Sequence, residues 1–303
     1  MKRKVNRVGQ NTLTVSLPVK WVKENNIKQG EEIELIEEGK KLIIGGEYKP
    51  KSEVIEIDVT NQGIMNHRIL AAIYKAGFDQ AEIKFKTSEE FKIIQDRLER
   101  NLAEFDVIDY KKDRVLVRSS SKLNPKEFES TLKRCFYSLK DTTNSTYEAL
   151  KNNDYNEMKN IVLRDLCLDK YADYCRRLLN KNIEIKYKRT HALYYLIEEI
   201  EIIGDMYKYI CNYVSKEKPK ISKQLIDLFG RINDFSNKFV DTIIKFDYEK
   251  IQDIGKERVN INNQIDFMLK KVNKNELKIF FIMVQIFNAT FEMKSALLTL
   301  KLK

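Results

Sequence analysis

The sequence predicts an α+β fold that is mostly helical: a small β head, a small α/β sandwich, then a body of two three-helix bundle repeats. Three observations carry this. Only 10 Gly and 4 Pro occur in 303 residues, which favours long uninterrupted helices. Thr12-Leu13-Thr14-Val15-Ser16-Leu17 alternates polar and apolar side chains, the period of a half-buried strand. From Leu123 nearly to the C-terminus, apolar residues recur instead at about 3.6 residues, the period of a helix.

Composition bounds the function. A hydrophobic fraction of 43% with 15 Phe and 15 Tyr supplies a buried core. The net charge of +10 permits a nucleic-acid or anionic partner without requiring one. Cys135, Cys167, Cys175 and Cys211 have no C-x-x-C spacing, so they read as reduced thiols of an intracellular protein. His67 and His191 are isolated, which leaves little for a histidine-based catalytic site. No apolar run approaches the roughly 20 residues of a membrane span, and Met1 to Arg7 lack a signal peptide's apolar segment. The expectation is a cytoplasmic protein with no membrane insertion.

The head, residues 1–48, is basic: Lys or Arg occupies positions 2, 3, 4, 7, 20 and 23 before the first acidic residue, Glu24. After the Thr12–Leu17 strand, Pro18 suits the first position of a short helix through Trp21 and Val22 that stops before Gly30. Glu32–Ile36 and Lys41–Ile44 read as a hairpin turning at Glu38-Gly39-Lys40. Short strands such as these bury too little apolar surface alone, so oligomerisation is the expected remedy.

The run from Lys4 to Val22, with the framework Arg7 to Pro18, then Gly30-Glu-Glu-Ile-Glu-Leu35 and Lys41-Leu-Ile-Ile44, resembles the AbrB/SpoVT swapped-hairpin DNA-binding domain. The resemblance spans residues 3–46. It implies an intertwined β homodimer whose basic N-terminal strand and loop face double-stranded DNA. Carried over by position, Arg3, Lys4, Arg7 and Asn11 are the DNA-facing candidates, with Lys20 beside them. Lys and Arg would supply phosphate affinity, and Arg7 and Asn11 base or backbone hydrogen bonds.

Pro50 and the Lys-Pro-Lys-Ser run mark a boundary. Residues 53–120 then read as βαβαββ: strand 54–59, helix 64–76 ended by Gly77-Phe78, strand 81–85, helix 89–104, and strands 107–110 and 114–118 turning at Lys111-Lys112-Asp113. No phosphate loop or catalytic grouping is visible there, so a spacer or dimer module is expected.

Asn124 is an N-cap candidate before Pro125. Six helices follow at about 125–151, 154–180, 187–215, 219–246, 248–271 and 274–301, with Pro219 starting the fourth. Asp154-Tyr155 through Ile161 echoes Asp247-Tyr248 through Ile254, so two repeats, 124–216 and 219–303, are the economical model.

Within the first repeat, Asp165 and Asp169 stand four residues apart on one helix, as do Glu201 and Asp205 on the next. Such pairs share a helix face, so packed helices could present all four carboxylates to one another. They would repel unless neutralised by a divalent metal or iron cluster, or by Arg164, Arg176 or Arg177.

Arg164-Asp165-x-x-x-Asp169 with Glu201-Ile-Ile-Gly204-Asp205 resembles the PhoU family of phosphate-uptake regulators, except that Ile202 replaces its usual Arg. The likeness covers about 125–301, and AbrB-type heads joined to PhoU-like bodies occur in archaeal regulators. It implies metal ligands at Asp165, Asp169, Glu201 and Asp205, taking iron, zinc, magnesium or manganese. It also implies a body that senses state or docks a phosphate-transporter or kinase partner. The second repeat carries Arg258, Asn262, Asn288 and Glu292 at corresponding positions, so any metal is expected in the first repeat alone. The chain is not expected to be an enzyme: di-iron bundles use E-x-x-H pairs, and His191 lies ten residues before Glu201.

Overall fold

The computed structural model describes residues 2–38, 41–45, 54–63, 65–100, 102, 104–120, 123–181 and 187–302. The predicted turn at Gly39-Lys40, the boundary at 49–52, the helix start at 64 and the helix end near 101 and 103 lie outside them. The chain forms two compact units, Met1–Ser52 and Glu53–Lys303.

In the first unit, β1 (Val5–Val8) and β2 (Thr12–Val15) form an antiparallel hairpin pairing Val5 with Val15 and Val8 with Thr12. Gly9 turns it with φ +72°, a conformation that disfavours a side chain. The helix α1 (Val19–Glu24) follows, with Pro18 at the N-cap rather than the first helical position. Its ψ of 126° is extended, so the proline ring sets the entry direction and the helix begins one residue later. β3 (Glu34–Glu38) and β4 (Lys41–Gly45) make a separate hairpin. Every side chain of β1 and β2 is exposed, Val5, Val8, Leu13 and Val15 among them, and α1 buries none. Val5, Leu13 and Val15 share one face of the hairpin, and among the described residues all three are exposed.

The second unit opens with β5 (Val54–Asp58), α2 (Met65–Ala76), β6 (Gln80–Lys84), α3 (Ser88–Arg100), β7 (Phe105–Lys111) and β8 (Arg114–Ser119). The sheet order is β5-β6-β8-β7, with β5 and β6 parallel and the rest antiparallel. The turn expected at Lys111-Lys112-Asp113 is the two residues Lys112-Asp113, because Lys111 pairs with Arg114 in the ladder. Ala81, Ile83, Val115 and Val117 alternate inward against Leu70, Ile73 and Ile94 of the helices. Glu90 braces the loops after both parallel strands: its carboxylate accepts the backbone N–H groups of Asn61 at 2.7 Å, Lys86 at 2.7 Å and Thr87 at 3.0 Å. Those bonds hold its pKa below the usual carboxylate range.

A 3-10 turn (Pro125–Glu127), capped by Asn124 as predicted, leads into α4 (Phe128–Asn152), α5 (Tyr155–Asn180) and α6 (Thr190–Glu217). The second repeat has α7 (Lys223–Ile244), α8 (Tyr248–Leu269), α9 (Leu277–Glu292) and α10 (Lys294–Lys301). The echoed aspartates are matching N-caps: Asp154 accepts from Asn156 and Glu157 N–H, and Asp247 from Glu249 N–H. Helices α6 and α9 start at Thr190 and Leu277, three residues after the expected 187 and 274, and two further boundaries differ from expectation. Helix α7 starts at Lys223 instead of Pro219, because Ser222 caps it while Glu276 accepts the Ser222 N–H at 2.5 Å. The predicted sixth helix breaks at the buried Met293 into α9 and α10.

One hydrophobic core spans both repeats, joining α4 to α7 and α6 to α9 and α10. Helix α5 also packs on α2. There Arg177, fully buried, donates to the Tyr74 carbonyl at 2.8 Å and lies over the Tyr74 and Phe105 rings at 4.8 and 5.2 Å. Lys181 reaches Asp79 at 2.6 Å. The α/β module is thereby clamped to the bundle through the C-terminal end of α5.

Candidate metal centre and nucleic-acid interface

Helices α5 and α6 pack closely because Gly204 has no side chain: a Cβ there would come 2.4 Å from Leu168 Cδ2. This approach brings together one carboxylate oxygen each from Asp165, Asp169 and Asp205, all within 4.8 Å of one another. Asp165 is 2% exposed and its Oδ1 has no hydrogen-bond partner. Burial pushes Asp169 up to about 6, helped by the neighbouring Asp165 charge. Burial likewise raises Asp165, outweighing the bond it accepts from Lys208.

Of the four predicted ligands, Glu201 is not in this group. Its carboxylate is held by Arg176, which also bonds Glu198 and, at 2.7 Å, Asp173. Arg164 pairs with Glu157, and Arg177 serves the α2 contact, so neither touches the trio. The cation that does is Lys208, which the sequence reading passed over. Its Nζ lies 2.5 Å from Asp165 Oδ2 and 2.6 Å from Asp205 Oδ1. Burial alone would lower the ammonium, but these two bonds keep it above its usual value. The available signal was its position three residues after Asp205, on the same helix face.

Three oxygen donors, one with a buried unpaired lone-pair site, form a donor set suited to a hard divalent ion. Asp165, Asp169 and Asp205 would hold it, and it would supply positive charge that relieves their repulsion. Among the described residues this is the one such acidic group, and it lies in the first repeat. In the second, Arg258 stacks 3.8 Å over the Phe291 ring instead. Asp169→Asn has opposed expected effects. Asp169 ionises at a higher pH folded than unfolded, so its stabilisation holds below about pH 4 and is lost as pH rises through 6. The neutral amide should therefore raise the chelated protein's stability at pH 7 by about 1–3 kcal/mol and flatten that pH dependence, while weakening divalent binding. Denaturant unfolding with chelator at two pH values checks this.

The basic candidates sit on the exposed head. Arg3 contacts Ser16 Oγ at 3.5 Å, and Arg7 donates to the Gln10 carbonyl at 2.5 Å, which fixes its guanidinium at the hairpin end. Asn11 is exposed in the β1–β2 turn, and Lys4 is exposed just before β1. Lys20 stands on α1, 3.9 Å from Glu24.

Residues 7–56 match the family model of the antidote-toxin recognition protein MazE, a bacterial antitoxin. The head fits a MazE/AbrB-type, antitoxin-like domain. The match starts and ends later than the predicted 1–48. Over 174 residues the chain is 25% identical to the uncharacterized protein MJ1641 of Methanocaldococcus jannaschii. That match covers 54% of this chain and 58% of the relative, so the chain spans a little over half the relative's length. No solved structure matches. Among the described residues, no helix is long and apolar enough to cross a membrane.

Proposed function

We propose that the protein is a dimeric, DNA-binding transcription regulator, non-enzymatic and cytoplasmic, whose helical body senses state or docks a partner. The observation that carries this is the head's uncovered β1–β2 hairpin. Its apolar Val5, Leu13 and Val15 share one exposed face that a second hairpin would cover, and pairing two would place two basic N-termini side by side. The antitoxin-like match of residues 7–56 supports the same reading. The finer assignment, control of phosphate uptake by a PhoU-like body that holds a divalent metal or iron, rests on the paired carboxylates of α5 and α6. On this reading the body's partner is a phosphate-transporter component or a kinase.

The test is binding of the full chain to its own upstream DNA across a salt series, with random duplex as control. Affinity should fall steeply with salt, and Arg3→Ala, Lys4→Ala and Arg7→Ala together should weaken binding by roughly a hundredfold or more and flatten the salt slope. Unchanged binding in the triple variant would remove the head from the interface. If the wild type binds no duplex at low salt, the head is a dimerisation device and the protein an adaptor.

A further inference from the structure

We infer that Lys208 is a resident counter-cation that competes with a divalent ion for the α5–α6 carboxylates and thereby sets how tightly the site holds metal. The inference rests on the reading that Asp165, Asp169 and Asp205 accept a hard cation. Its ground is the geometry of the ammonium. Nζ bonds one oxygen of Asp165 and one of Asp205, at 2.5 and 2.6 Å, while Asp169 receives no bond from it. The second oxygen of Asp165, Oδ1, stays buried and unpaired, 3.6 Å from where a Gly204 side chain would begin. A single ammonium thus faces three converging carboxylates and leaves them under-neutralised.

An ion bound by all three carboxylates would lie within a few ångströms of that ammonium, where like charges repel strongly in a half-buried site. Metal and ammonium therefore exclude each other, and entry of one requires departure of the other. Departure is open to Lys208, because its side chain is 33% exposed and its long stem can carry the charge to water. Arg176 is no substitute: it is fully buried and committed to Asp173, Glu198 and Glu201. Metal affinity at this site is then the trio's intrinsic affinity reduced by what it takes to displace Lys208.

The experiment titrates manganese(II) into the full-length wild type, Lys208→Met and Lys208→Arg. Calorimetry gives affinity, the manganese EPR signal reports inner-sphere binding, and melting temperature is read with chelator and with metal. Lys208→Met should bind on the order of ten- to a hundredfold more tightly than wild type. It should also melt lower than wild type in chelator and gain more from added manganese, whereas Lys208→Arg should stay near wild type. If wild type and Lys208→Met bind with equal affinity, the competition is wrong and the metal site stands. Should neither protein bind manganese, the metal reading and the inference fall together. Adding Asp169→Asn to Lys208→Met should sharply weaken binding; undiminished binding would put the ion elsewhere and overturn the inference.

Discussion

Replacing Arg176 with alanine is expected to destabilise the body by about 3–5 kcal/mol at neutral pH. Arg176 is a fully buried side chain, and its guanidinium is shared by Asp173, Glu198 and Glu201. Asp173 is itself buried, so it cannot recover water when its partner is removed. Deletion leaves three carboxylates facing one another across α5 and α6, plus the volume of a large side chain. One control separates these causes. Arg176→Met keeps most of the volume but loses the charge and its hydrogen bonds, so any recovery relative to alanine measures the cavity. Denaturant melts of the wild type and both variants decide it. A deficit under about 1 kcal/mol in both variants would mean that these ion pairs do not hold the helices together.

The second large effect is expected at Gly204. Alanine there places a methyl 2.4 Å from Leu168 Cδ2, and Leu168 is fully buried, so the leucine must change rotamer or α5 and α6 must part. Overpacking of this kind costs about 1–3 kcal/mol, and parting the helices would also spread the three carboxylates. Leu168→Ala alone should cost about 2–5 kcal/mol through its cavity. The double variant should lose clearly less than the sum, because the new methyl occupies space the leucine vacated. Simple additivity of the two losses would show that the contact does not set the helix spacing.

Much of the architecture was legible in the chain, for local reasons. Asp154 and Asp247 announce matching helix starts because a short side-chain oxygen satisfies the first free N–H groups. Lys112-Asp113 closes a hairpin because two-residue turns suit strand twist. The Ser222 cap was less visible, since the Glu276 carboxylate that accepts the Ser222 N–H lies 54 residues along the chain.

The carboxylate site divides along the same line. Spacing alone put Asp165 and Asp169 on one helix face, and Asp205 on another, because a helix repeats about every 3.6 residues whatever surrounds it. Spacing likewise grouped Glu201 with Asp205, yet the packing of α5 on α6 delivers Glu201 to Arg176 and Asp165 to Lys208. Arg176 and Arg177, adjacent in the chain, serve different partners: one the α6 carboxylates, the other the Tyr74 carbonyl of α2. Periodicity determines which face a residue occupies. Which long, flexible cation reaches a given carboxylate depends on distances across helices, and those exist only once the chain is folded.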